Sequence, residues 1–316
     1  MNDEKNNIKF SIIMPVYNVS DFLEEAILSV LNQKYQNIQL IIINDGSTDG
    51  SQIIAEKFAK QDNRIIIINK ENEGLSVARN VGVDVATGDY IFFMDSDDII
   101  REDLFMIIYQ RLHENMENVF MIGYEQFNEK TTYIGKTIDT NYYTNSQIMH
   151  AILSGKLENF ACQFVINKTV LSKNDLKFKA GVLFEDIDWT ARFLSKIDSI
   201  YYINKPLYKY RVRLTSITHT KSLKKVNDLL VVLSLLEETL NKSFPNELQN
   251  FSKWRRALDL TIYFDFSFLG WESKKLKSDM YSRIMSYGYT GLALKQMIKL
   301  ALIKFRIVDF LSKNRV

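Results

Sequence analysis

The run Asp95-Ser96-Asp97-Asp98 places three carboxylates within four residues, directly after the apolar run Tyr90-Ile91-Phe92-Phe93-Met94. Carboxylates are hard oxygen donors, suited to Mg2+ or Mn2+ and, through the cation, to a diphosphate. The apolar run reads as a buried strand, and open α/β sheets bind their ligands at the carboxyl ends of strands. The alternative is a polar turn that caps the next helix, since Asp and Ser are good caps.

Two more loops fall at strand ends. Pro15-Val16-Tyr17-Asn18 supplies an aromatic face, and Asn44-Asp45-Gly46-Ser47-Thr48-Asp49-Gly50 supplies a carboxylate in a glycine turn. With the acid run they make a set suited to a nucleotide: a ring for the base, an acceptor for its N–H and a cation site for its phosphates. Asp45 also reads as part of a plain turn; the spacing of its loop is not that of an EF-hand. In Asn72-Glu73-Gly74-Leu75-Ser76-Val77-Ala78-Arg79-Asn80, Gly74 lets the chain turn tightly into a helix. Arg79, one turn in, has the reach for the acid run or a phosphate; a structural ion pair is the alternative. Glu185 and Asp186, flanked by Phe184 and Trp189, are carboxylates that partial desolvation would raise toward the pKa of a general base. Their alternative is a pair of acids favouring a helix N-terminus.

These residues need a sheet to converge. Strand and helix alternate through residue 94, with strands expected at 10–16, 40–43, 64–68 and 90–94 and helices at 21–31, 51–60 and 75–86. This pattern predicts an α/β fold with a mostly parallel sheet covered on both faces. Beyond Asp98 a helix is expected at 102–115, strands at 119–124, 131–134, 161–166, 200–203 and 207–211, and a helix at 185–195. From 221 the pattern is helical, with breaks near Pro245, Gly270 and Gly288. The expected division is 1–220, with a nucleotide half at 8–100 and an acceptor half at 101–220, followed by a helical region at 221–316. In the last of these, Leu294, Ile298, Ala301, Phe305 and Val308 form a stripe, with Lys295, Lys299, Arg306 and Lys313 largely away from it. Such a helix lies on an anionic membrane surface, packs on the rest of the chain or forms an oligomer interface.

Composition removes several classes. The 316 residues are 46% hydrophobic, enough for a sizeable core, and 40 Lys+Arg against 38 Asp+Glu argue against a general nucleic-acid binder. A lone cysteine, Cys162, excludes an intrachain disulfide framework and fits a reducing, cytoplasmic setting. Three histidines argue against a multi-His metal centre. No signal peptide and no spanning helix is expected.

Residues 10–105 resemble the family 2 glycosyltransferases of the GT-A fold. The resemblance lies in Ser11-Ile12-Ile13-Met14-Pro15-Val16-Tyr17-Asn18, Asn44 to Asp49, Asn72-Glu73-Gly74 with Ala78-Arg79-Asn80, and Gly88-Asp89-Tyr90 leading into the acid run, in order and at the usual spacing. It implies a UDP-sugar donor, with Pro15 and Tyr17 lining the base pocket and Asp45 accepting from the base. It implies that Asp95 and Asp97 form a DxD element holding Mn2+ or Mg2+, Asp97 as the main ligand, with Ser96 between them and Asp98 left as a helix cap. Glu185-Asp186 resembles the family's Glu-Asp element, so Asp186 would be the base. The segment from Tyr210 to Thr218 resembles one in which an Arg and a Ser contact the diphosphate, here Arg211 or Arg213 with Ser216; His219 is a candidate third metal ligand. The acceptor would be a saccharide or lipid-linked saccharide of bacterial surface polymer synthesis, with residues 172–181 and the C-terminal helices shaping its site. Trp254-Arg255-Arg256 reverses the order found in processive synthases. Rival readings are a sugar nucleotidyltransferase, which should carry a Gly-rich loop where Pro15-Val16-Tyr17-Asn18 stands, and a non-catalytic partner in an assembly complex.

Overall fold

The computed structural model describes residues 7–128, 130–213, 222–269, 273–287, 294–304 and 308. Ser216 and His219, and Phe305 of the C-terminal stripe, lie outside the described residues. The first half follows the expected alternation: β1 (Phe10–Val16), α1 (Ser20–Leu31), β2 (Ile38–Asp45), α2 (Ser51–Ala59), β3 (Ile65–Lys70), α3 (Leu75–Val85) and β4 (Tyr90–Phe93). Every residue of β1, β2 and β4 is buried, as continuous apolar runs require when helices cover both faces. β3, β2, β1 and β4 are neighbours in that order and all parallel. The carboxyl ends of β1, β2 and β4, with their three polar loops, therefore share one edge.

The second half comprises β5 (Ile99–Ile100), α4 (Leu104–Glu114), β6 (Val119–Phe127), β7 (Thr132–Ile134), β8 (Asn141–Thr144), α5 (Asn145–Leu153), β9 (Phe164–Asn167), α6 (Lys168–Lys173), α7 (Glu185–Leu194) and β10 (Ser199–Arg211). It extends the sheet to the order β3-β2-β1-β4-β9-β6-β10-β5, with β7 on β6 and β8 on β10. β9 is antiparallel to both β4 and β6, and β10 is parallel to β6. Two reversals restore the direction, so the carboxyl end of β10 reaches the same edge as the acid run.

Three differences from the sequence reading have local causes. The runs 200–203 and 207–211 are one strand, because register shifts on either side of Pro206 absorb the missing N–H. Residues 161–163 form a 3-10 turn and the strand starts at Phe164. β8 and α5 were not anticipated: β8 is mostly exposed and lacks alternation, while α5 opens on a capping box between Thr144 and Gln147.

Two cores sandwich the sheet, one holding Leu23, Ile27, Phe105 and Ile108, the other Ala78, Ile148, Trp189 and Phe193. Four further helices follow: α8 (Leu223–Ser243), α9 (Leu248–Leu269), α10 (Lys274–Met285) and α11 (Leu294–Lys304). α8 places Leu233, Leu236 and Leu240 in the second core, whereas Leu260, Tyr263, Met280, Ile284, Leu300 and Ile303 form a third. Beside this third core the fully buried Asp259 accepts from Arg283 at 2.8 and 3.0 Å and from the Tyr287 hydroxyl at 2.5 Å. The expected C-terminal stripe holds only in part: its Val308 is buried, but Ile298 is 52% exposed, and Leu300 and Ile303 are the buried residues of α11. Among the described residues no helix is long and apolar enough to cross a membrane.

Candidate active site

The loops after β1 and β2 are tied together. Asn18 turns at φ 51° and accepts from the Thr48 N–H at 2.8 Å. Asp49 accepts from the N–H groups of Ser20 and Ser51 at 2.8 and 3.0 Å, steadying two helix N-termini. Tyr17 stands half exposed at the rim. Asp45, only 3% exposed, accepts from the Glu73 and Gly74 N–H groups at 3.0 and 2.8 Å and from Lys70 Nζ at 2.6 Å. It thereby pins the Asn72–Gly74 turn, whose Gly74 has φ 91° and ψ 165°, a region that favours glycine.

The acid run separates by role along its length. Asp98 is not the cap of α4, which starts at Leu104 after Asp103. It is buried and accepts from the Tyr208 hydroxyl at 2.5 Å and the Arg211 N–H at 2.7 Å, fastening the loop to β10. Burial, then the charges of Asp97 and Asp95, push its pKa well above the usual carboxylate value. Asp95 and Asp97 line the cleft with Ser96. The two arginines also separate. Arg211 does not line the cleft: its guanidinium donates to the Asp97 carbonyl at 2.7 Å, pairs with Glu25 at 2.5 Å, and lies over the rings of Phe22 and Phe127. Arg213 is the one in the cleft wall, 2.5 Å from the Asp97 carboxylate. Burial and the Asp95 charge raise the pKa of Asp97, against the pull of Arg213.

Arg79 joins the acid run to the second acidic motif. Only 4% exposed, it donates to Asp95 at 2.9 Å and to Glu185 at 2.6 Å, with its guanidinium over the Phe178 ring. Burial alone would lower its pKa, but the charges of Asp95 and Glu185 raise it. Phe184, just before α7, sits at φ 63°, an uncommon left-handed conformation for a bulky residue. Asp186 follows in the first turn of α7. Burial first, then the neighbouring Glu185 charge, raise it to about 7, with Arg79 opposing. A carboxylate with that pKa changes protonation near neutrality, as a general base needs.

These residues line one cavity of about 1000 Å³, running from Pro15 and Tyr17, past Asp45, Asn72 and Asp97, to Asp186 and on to Trp254. Among the described residues ten buried side-chain polar atoms lack a hydrogen-bond partner, and five belong to residues lining this cavity: Ser76 Oγ, Arg79 Nε, Asn159 Oδ1, Thr190 Oγ1 and Arg213 Nε. Native interiors satisfy nearly all such groups, and half of these unpartnered atoms fall among the residues around one cavity. The sequence reading missed Ser76, Asn159 and Thr190. Ser76 lies inside a quoted motif; the other two carry no pattern, and only their place in the cavity reveals them.

A model of glycosyl transferase family 2 matches residues 11–174. The chain belongs to that family. It is therefore a glycosyltransferase. Glycosyltransferase GlyG of Streptococcus pneumoniae is 33% identical over 235 residues, 71% of this chain and 78% of that one. Glycosyltransferase GlyA of the same organism is 31% identical over 263 residues, 80% of this chain but 38% of its own length, so this chain spans little more than a third of it. The GT-A fold is shared with TarS of Staphylococcus aureus, solved as residues 1–349 in complex with UDP-GlcNAc, at TM-score 0.70, 19% identity, 96% of this chain and 89% of that chain.

Proposed function

We propose that the chain transfers a sugar from a UDP-sugar to an acceptor hydroxyl with inversion, in the synthesis of a bacterial surface glycopolymer. The observation that carries this is one cleft in which Arg79 ties the acid run to the motif containing Asp186. The UDP-GlcNAc bound by TarS supports the donor class. Pro15 and Tyr17 line the base pocket, and Asp45 and Asn72 serve it directly or by holding the turn at Gly74. Asp186 takes the proton from the acceptor hydroxyl as that oxygen attacks the anomeric carbon in a single displacement. Arg213, with Ser216, meets the diphosphate as negative charge builds on it. Arg211 acts at one remove, as the clamp on the Asp97 carbonyl.

The donor set fits a divalent cation. Among the described residues no three His, Cys, Asp or Glu gather in ligating geometry, so Asp97 and Asp95 offer two hard carboxylates and the diphosphate and water would complete the shell. Bound Mn2+ or Mg2+ supplies positive charge against the departing diphosphate. His219 is proposed as a third ligand. Residues 1–220 form the catalytic part and 221–316 an acceptor-shaping helical region, acting in the cytoplasm. Peripheral membrane contact through the C-terminal helix, or self-association, belongs to the same reading. The test is UDP release from a panel of UDP-sugars, with Mn2+ and with chelator. Release that is lost with chelator and in Asp97→Ala supports the reading; no release from any UDP-sugar sinks it.

A further inference from the structure

The two arginines that line the cleft hold the acid run in different ways. Arg79 comes from the interior of α3, has a side chain only 5% exposed, and pairs with both Asp95 and Glu185. Among the described residues Arg213 has its one ion pair with Asp97, Nη2 to Oδ2 at 2.5 Å, and the two side chains are 24% and 18% exposed. Its guanidinium lies 4.9 Å from the centre of the Phe22 ring, and its Nε is buried without a hydrogen-bond partner. This placement therefore forfeits one donor. Arg213 also stands two residues beyond the end of β10. The Val212 N–H, donating to the Phe127 carbonyl at 2.9 Å, makes the last backbone hydrogen bond before it among the described residues.

We infer that Arg213 is an exchangeable counter-ion: it holds Asp97 until the donor arrives, then passes to the diphosphate and releases the carboxylate to the cation. Arg213 and a dication compete for one carboxylate. Even on separate oxygens the two like charges would repel strongly at a site partly shielded from water. A cation arriving alone has to break the pair and leave the guanidinium without an anion, which is unfavourable where solvation is reduced. A diphosphate lifts that penalty, because its oxygens accept from the guanidinium while also offering hard ligands to the cation. Arg79 is not free to exchange in this way, since leaving Asp95 would also strand the buried Glu185. The two carboxylates of the acid run that line the cleft therefore differ, Asp95 held by a fixed partner and Asp97 by a displaceable one. The inference rests on a UDP-sugar donor and on Asp97 as the cation ligand, as proposed above.

The experiment compares the full native chain with Arg213→Gln, and with Arg213→Met should the glutamine variant not fold. Mn2+ binding is read from the EPR signal of the free ion, first without nucleotide and then in excess UDP, with the Mn2+·UDP complex in solution taken from a protein-free blank. Without UDP the variant should bind Mn2+ about fivefold more tightly, the upper end for one partly exposed ion pair. With UDP bound this gain should vanish, because Arg213 has already left Asp97 in the native chain. UDP binding, measured by calorimetry in chelator, should weaken about tenfold in the variant as a charge-assisted contact is lost. Mn2+ affinity that is the same in both chains without UDP, including no measurable binding by either, overturns the inference. So does an equal gain with and without UDP, which a charge acting at a distance would produce. Unchanged UDP affinity overturns it too. In each of these cases a native chain that binds UDP keeps the donor reading; a native chain that binds none overturns that reading first, and this inference with it.

Discussion

The two ends of the cleft are built differently. At the donor end the acids are already held by the protein: Asp45 by Lys70 and two backbone N–H groups, Asp98 by Tyr208 and Arg211, Asp95 by Arg79. Beyond Asp186 the lining comes from α5, α7, α8 and α9 and is largely apolar. The residues at the acid-run end therefore also hold the fold together, whereas those beyond Asp186 are mostly side chains of the second core.

Changes at the two ends should fail in different ways, and the largest effect belongs to the base. Asp186→Asn should lower turnover by about 10²–10⁴-fold, the range for a lost general base, while UDP affinity measured by calorimetry stays within experimental scatter. Retained turnover would remove Asp186 from the mechanism. Arg79→Met should instead unfold the protein more easily. It leaves the buried Glu185 and the partly exposed Asp95 without their cation, a loss of about 3–5 kcal/mol, read as a lower denaturant midpoint. If stability holds and only UDP binding falls, Arg79 is a ligand contact rather than a structural tie.

A smaller loss is expected for Tyr208→Phe. Asp98 then keeps a single donor, at a cost of about 1–3 kcal/mol, and UDP binding should weaken as the acid loop loosens; thermal melting and calorimetry read the two effects separately. The mildest effect is a shift of the pH profile. As the proposed base, Asp186 would work ionised, and it is raised to about 7, chiefly by burial and then by Glu185. Turnover should therefore rise with pH through a midpoint near that value. For stability the sign is opposite: the folded state holds a proton that the unfolded state has released, so this group's contribution falls as pH climbs from the ordinary carboxylate range toward 7. Glu185→Gln removes the repulsion and should move the activity midpoint to lower pH. A midpoint that stays put would show that Glu185 acts only as the partner of Arg79.

The convergence of the three loops on one sheet edge was legible because each loop spans a few neighbours and follows a strand whose apolar run is itself plain. Asp45 and Gly74 stand in short motifs, and parallel pairing of β1, β2 and β4 brings the loops together without long-range information. The choice between Arg211 and Arg213 was not legible. Both alternate along the same segment and both lie over the Phe22 ring; the Phe127 ring and Glu25 draw only the first away from the cleft. Asp98 shows the same limit, since a capping Asp and a buried clamp have one spelling and differ in whether Tyr208 stands opposite.

The amino-acid sequence by itself determined the α/β alternation, the sheet edge where ligands bind, the acid run with its suitability for a cation and the candidate base, because strand period, apolar runs and turn residues act over short distances. Tertiary structure alone decided which arginine lines the cleft, that Arg79 couples Asp95 to Glu185, and which helices close the cleft beyond Asp186. Those outcomes depend on side chains brought together from positions such as 79 and 185, or 159, 190 and 236, and no local pattern of residue types records which of them will meet.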